Sequence, residues 1–224
     1  MQVSAGGVID YVDIIKNNQL MRRFALCDVE QIIPSSVIRT KLYLELGWGL
    51  NHSQVPCEVE FGILEGEILS VEPRFRGEIV VSPLDVTEHP LQCYHSHWEA
   101  KNDKIISFAT HLRANANYYT SRSQGMCIEV KMPRTGEIIT KINGKEQRVA
   151  LERLIKGSLA GNFVDEMESH CWKLHKAPLP WEFQWDLDFE ERPELFRKRD
   201  AYYVRVRQTN DQWAWSSPIF VVSK

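Results

Sequence analysis

The residues whose types and spacing suit metal chemistry lie mid-chain, in Cys93-Tyr94-His95-Ser96-His97-Trp98-Glu99. On an extended strand alternate residues share a face, so Cys93, His95, His97 and Glu99 project together and offer soft and borderline ligands to zinc or iron. Neighbouring same-face residues on a strand stand about 7 Å apart, so closing such a site requires His111, His170 or His175 to converge from elsewhere. The alternative reading is a polar strand face whose histidines bond to neighbours or water.

A second constellation is aromatic. Seven tryptophans and seven tyrosines are present, and Trp181, Trp185, Trp213 and Trp215 crowd toward the end of the sequence. Pro178-Leu179-Pro180 stiffens the backbone before Trp181. Such a set serves either as a platform that stacks on sugar rings or as filler between two sheets. Trp213 and Trp215 share one parity, so a single face carries both, and that face is either core or platform. Arg122, within Tyr119-Thr-Ser-Arg-Ser-Gln124, adds a guanidinium and hydroxyls suited to an anion, or to pairing with a carboxylate. Gly-x-Ser-x-Gly, His-Glu-x-x-His and dinucleotide-binding patterns do not occur.

The elements that must position these residues are strands. Val8–Lys16 and Leu20–Val29 flank a turn signal at Asn17-Asn18. In Val37–Trp48, Ile38, Thr40, Leu42, Leu44 and Leu46 share the face expected to meet a core. Cys57, Val59, Phe61 and Ile63 alternate with polar residues in the next strand. Ile105–Leu112 lacks clear alternation and suits a strand buried on both faces, or a short helix. Asn143-Gly144 between Ile138–Ile142 and Gln147–Leu151 is the strongest hairpin signal. Leu151–Leu159 is limited to about two helical turns by Gly157 and Gly161. Met167–His175 places His170, Trp172 and Leu174 together. Asp200–Gln208, a turn at Thr209–Gln212, and Trp213–Val222 form a closing hairpin, its second arm demoted to an edge by Pro218. Short strands with turns about every ten residues predict an all-β, antiparallel β-sandwich with few short helical turns. The expected organisation is one domain over 1–224, with two halves near 1–90 and 91–224 as the alternative.

Composition narrows the function classes. Hydrophobic content of 43% and charged content of 25% are those of a globular chain. With 27 basic and 30 acidic residues the net charge is −3, which gives no field to recruit nucleic acid or an anionic membrane. The five cysteines are scattered singly, favouring reduced thiols over a disulfide framework. No apolar run approaches the roughly 20 residues of a membrane helix, and the opening residues lack a signal-peptide pattern. The expectation is cytoplasmic.

Tyr202-Tyr-Val-Arg-Val-Arg-Gln-Thr-Asn-Asp-Gln-Trp-Ala-Trp-Ser-Ser-Pro-Ile-Phe-Val221 resembles the C-terminal signature of a family of large bacterial proteins similar to PHP-type metal-dependent phosphoesterases. Tyr119–Gln124 with the following strand, His175-Lys-Ala-Pro-Leu-Pro180, and Gly7-Val-Ile-Asp-Tyr-Val-Asp-Ile-Ile-Lys-Asn-Asn18 are similar to the same region and its upstream segment. In PHP-type proteins the catalytic metals sit in an N-terminal α/β barrel opening with a histidine pair. No such strand–helix alternation occurs here, and His95 and His97 do not match that opening motif, so no ligand is carried over. The resemblance implies a non-catalytic accessory or packing domain without a cofactor, whose partner is an N-terminal hydrolase-like domain. A carbohydrate-binding module using exposed tryptophans, and a small zinc or iron enzyme built on Cys93, His95, His97 and Glu99, are the alternatives.

Overall fold

The computed structural model describes residues 1–30, 36–47, 55–76, 96–112, 123–164, 169–191 and 199–222. The protein is an all-β, antiparallel structure with two short α-helices among these residues. Contacts divide it into two compact units, one made of 1–34 with 178–224 and one of 35–177. The boundary expected near residue 90 lies outside the described residues. The strands Val55–Ile63 and Ile105–Leu112, on either side of it in sequence, pair within one unit.

The first unit begins with β1 (Gln2–Ser4), β2 (Ile9–Lys16) and β3 (Gln19–Ala25). Asn17 and Asn18 connect β2 to β3 with φ of 50° and 67°, the left-handed conformation that a two-residue hairpin turn needs and that asparagine tolerates.

The second unit supplies β4 (Val37–Gly47), β5 (Val55–Ile63), β6 (Glu67–Pro73), β7 (His97–Ala100), β8 (Ile105–Leu112), β9 (Gln124–Pro133), β10 (Glu137–Ile142), β11 (Lys145–Ala150), helix α1 (Leu151–Lys156), β12 (Leu159–Asn162) and β13 (Cys171–Leu174). The first unit then resumes with helix α2 (Pro180–Phe183), β14 (Gln184–Asp186), β15 (Arg199–Gln208), β16 (Trp213–Trp215) and β17 (Ile219–Val222).

In the second unit two five-stranded sheets form, in the orders β11-β10-β5-β8-β7 and β12-β13-β4-β9-β6. Ile38, Thr40, Leu42, Leu44 and Leu46 of β4 are all buried, as their alternation predicts, and so are Cys57, Val59, Phe61 and Ile63 of β5. The β10–β11 turn has Asn143 at φ 47° and Gly144 at φ 82°, matching the hairpin expected there. Strand β8 departs from expectation: Ile106, Phe108, Thr110 and Leu112 are buried while Ile105, Ser107, Ala109 and His111 are half-buried. Ser107 and His111 are polar, so only the other face of β8 supplies a fully buried row to the core.

Two glycines admit aromatic rings. Gly161 stands opposite Trp172, and a Cβ on it would lie 2.8 Å from the indole. A Cβ on Gly125 would lie 2.6 Å from the Leu44 carbonyl oxygen and 2.8 Å from the Tyr43 ring. Each ring covers bare backbone, which recovers packing that a glycine in a strand lacks.

In the first unit β15 lies between β2 and an outer edge formed successively by β16 and β17, with β3 beyond β2. One face of this sheet closes a core of Ala5, Ile9, Val12, Ile14, Phe24, Trp185 and Leu187, joined by Val204 and Val206. No described helix is long and apolar enough to cross a membrane.

Candidate functional site

The other face of the first unit's sheet carries a polar and aromatic lattice, built by register. Opposite residues run Trp215, Arg205, Asp13, Arg23 in one row and Trp213, Arg207, Tyr11 in the next. Trp213 and Trp215 stack with centroids 5.8 Å apart and planes 14° from parallel. Tyr11 meets Trp213 edge-on at 6.0 Å. The guanidinium groups of Arg205 and Arg207 lie 5.5 and 5.4 Å from the Trp213 ring, and that of Arg23 lies 3.6 Å from Tyr11. These are cation–π distances.

Carboxylates balance the lattice. Asp13 is fully buried and accepts from Arg23 and from Arg205. Burial alone pushes its pKa up, but hydrogen bonds from the two arginines outweigh this and hold it below the ordinary value of 3.8. Arg207 donates to Asp10 at 3.0 Å and to Asp211. Three arginines thus meet three aspartates, leaving no net charge to draw an anion.

The four tryptophans therefore occupy different environments. Trp185 is wholly buried and its indole Nε1 donates to the Trp181 carbonyl at 2.7 Å, so its ring fills core and cannot stack on a sugar. Trp181, on α2, is half-buried. Trp213 and Trp215 are 41% and 59% exposed, so the face they share, left open between core and platform by their parity, is not core. The core face of the sheet is already filled from β2, β3, β14 and β15, so the outer arm has no apolar layer over it. Trp213 is nonetheless engaged by Trp215 and two arginines, and makes poor use of a ring face for a ligand. Arg122 lies outside the described residues.

The metal constellation falls partly outside them too, since Cys93 and His95 are not described. His97 and Glu99 are exposed on one face of β7, opposite Ala109 and Ser107. Glu99 accepts a hydrogen bond from Ser107 Oγ at 3.1 Å. His111 belongs to the same sheet, whereas His170 and His175 flank β13 in the other sheet. Among the described residues no three of His, Cys, Asp and Glu are placed to hold a metal ion.

A cluster that residue spacing did not reveal lies on the second unit's other sheet. Glu45, near the end of β4, accepts from Ser123 Oγ at 2.7 Å through Oε1, and its Oε2 lies 2.6 Å from His175 Nε2. The His175 ring stacks on Tyr43 with centroids 4.7 Å apart. Burial pushes the Glu45 pKa up, yet the bonds from His175 and Ser123 bring it below 4.5. Burial, reinforced by the Glu45 charge, moves the Tyr43 phenol up to about 12. A Ser–His–carboxylate relay needs the imidazole in the middle. Here the carboxylate is in the middle, so the arrangement orients His175 and Ser123 and ties three strand ends together. Residues 45, 123 and 175 meet only because β4 pairs with both β9 and β13.

The second unit also has a hollow of about 270 Å³ lined by Ile142, Lys145, Phe163, His170 and Trp172 among others. Lys145 Nζ donates to the Phe163 carbonyl at 2.6 Å at its rim. Compared with known proteins, the chain matches no family model, no curated protein and no solved structure.

Proposed function

We propose that this chain is a non-catalytic accessory β-domain of a larger hydrolase-like protein, and that its work is packing against protein rather than chemistry. The observation that carries the reading is β17. Ile219, Phe220, Val221 and Val222 are apolar on both faces of the strand, the pattern of a strand enclosed on both sides. Yet they are 69%, 49%, 42% and 64% exposed. Trp213 and Trp215 lie on the same side of β15, separated from them by Ser216 and Ser217, and exposed apolar patches mark protein–protein contact. The arrangement of Glu45, His175 and Ser123 is consistent with a structural tie. The partner implied by the resemblance is an N-terminal hydrolase-like barrel of the same parent.

The test is the coding sequence immediately upstream, followed by separate expression of whatever domain it encodes. An adjoining metal-dependent hydrolase barrel that co-elutes with this chain is expected. An unrelated neighbour, or a barrel that ignores the chain, would sink the reading.

A further inference from the structure

We infer that the hollow between the two sheets of the second unit is a binding site for a planar bicyclic aromatic molecule that carries an oxygen acceptor, a carbonyl or a carboxylate. The inference concerns that unit alone and does not depend on the packing role assigned to β17.

The first ground is parity. Along the β10–β11 ladder Ile142 pairs with Lys145, Thr140 with Gln147 and Ile138 with Val149. Ile138, Thr140, Ile142 and Val149 are buried, which marks their side of the sheet as the inward one. Lys145 and Gln147 share that side with Val149, because alternate residues of a strand share a face, yet both are exposed. Two long polar side chains thus stand at inward positions over a space that the core does not fill. Guarding a strand edge does not account for them. Glu146 and Arg148, of the other parity, already charge that edge and bond to each other at 2.7 Å.

The second ground is the facing wall. Gly161 pairs with Trp172, and the ladder continues as the Phe163 N–H donates to the His170 carbonyl at 2.9 Å. Phe163, His170 and Trp172 therefore share one side, and they line the hollow with Ile142, Lys145 and Gln147. Because Gly161 has no side chain, the indole lies close over it, and two aromatic rings form this wall. Flat walls of this kind suit a flat ligand. Burial lowers the His170 pKa and keeps its imidazole neutral. Lys145 is then the one formal charge among the described residues of the lining.

The third ground is what that charge can still do. Lys145 Nζ donates to the Phe163 carbonyl at 2.6 Å, reaching from β11 in one sheet to the residue after β12 in the other. An ammonium has three donors, so two remain for an oxygen at the mouth. Gln147, two residues along the same face, adds an amide donor.

Size sets the rest. The hollow of about 270 Å³ compares with the roughly 10–15 Å³ that admits one water and the roughly 150 Å³ that holds benzene. A fused pair of rings fits.

Isothermal titration calorimetry on the full chain tests this with three probes of one ring system: naphthoate, naphthamide and the cation naphthylmethylammonium. Naphthoate, naphthamide or both should bind with a dissociation constant below about 1 mM, which about a dozen ligand atoms supply at modest efficiency. Naphthoate alone assigns a carboxylate, and naphthamide alone a neutral carbonyl. The cation should bind at least about tenfold more weakly, because its charge meets that of Lys145. Lys145→Ala, at an exposed position, should weaken the oxygen-bearing probe about tenfold. Phe163→Ala, with circular dichroism matching the parent, should weaken it about fivefold. Failure of both oxygen-bearing probes to bind, a cation that binds as tightly as they do, or unchanged affinity in Lys145→Ala overturns the site.

Discussion

Arg205 grips one oxygen of Asp13 with two nitrogens, Nε at 3.1 Å and Nη2 at 2.7 Å, across 192 residues of sequence. Arg23, ten residues from Asp13, donates to the same carboxylate from the opposite neighbouring strand. The pairing of β2 with both β15 and β3 thus creates a buried acid held by two partly exposed bases.

Replacing Asp13 with Asn should therefore be costly. Removing one partner of a buried ion pair costs about 3–5 kcal/mol, but Arg23 and Arg205 are 45% and 30% exposed and water can re-cover them. A loss of about 2 kcal/mol is expected in urea unfolding followed by circular dichroism. The pH dependence has a definite sign. A carboxylate whose folded pKa is depressed stabilises the fold above its unfolded pKa, and that contribution disappears as pH falls through the folded value. The urea midpoint of the parent should fall as pH drops below about 4, with part of that fall contributed by Asp13. Asp13→Asn should show a shallower acid dependence.

Gly125 and Gly161 should tolerate alanine unequally. A Cβ at Gly125 meets backbone at 2.6 Å as well as Tyr43, so the strands themselves must move. At Gly161 the close atoms all belong to the Trp172 ring. Overpacking costs about 1–3 kcal/mol. Gly125→Ala is expected near the top of that range and Gly161→Ala near the bottom, with a shift in Trp172 emission confined to the latter. Equal costs would show that the ring does not lie over Gly161 as described.

The lattice on the outer face predicts energetic coupling between Trp213 and Arg207. A double-mutant cycle to alanine should return about 0.5–1 kcal/mol, the range of exposed cation–π pairs. Trp213→Ala should cost more than Trp215→Ala, because Trp213 is touched from Tyr11, Trp215 and both arginines while Trp215 is the outermost ring. The reverse order would argue for a ligand platform over a structural ladder.

The thiols divide by burial. Burial pushes Cys57 up to about 12 and also raises Cys127, whereas Cys27 is exposed. A thiol-reactive disulfide reagent at a pH of about 8 should label Cys27 in the native protein, with Cys57 and Cys127 reacting far more slowly. All three should react together once the fold is lost. Mass mapping of labelled peptides reads the distinction directly.

Much of the fold was legible in alternation. The inward row of β4 from Ile38 to Leu46, the Asn17-Asn18 and Asn143-Gly144 turns, and His170, Trp172 and Leu174 on one side of β13 all follow from local pattern. The candidate site was not. Glu45, Ser123 and His175 are ordinary residues in sequence and acquire a relationship only through strand pairing. The closing hairpin shows the limit most clearly. Parity placed Trp213 and Trp215 on one face, but whether that face meets a core depends on what other strands lay over it.

By itself the sequence determined the class of structure: antiparallel strands, their turns and the inward face of most of them. These are properties of residues two to four apart, governed by side-chain alternation and backbone preference. Tertiary structure alone decided that 1–34 joins 178–224 in one compact unit, that Asp13 is gripped by Arg205, and that Ile219–Val222 is an uncovered edge. Each of these depends on which distant strand becomes a neighbour, a choice made by the packing of the whole chain.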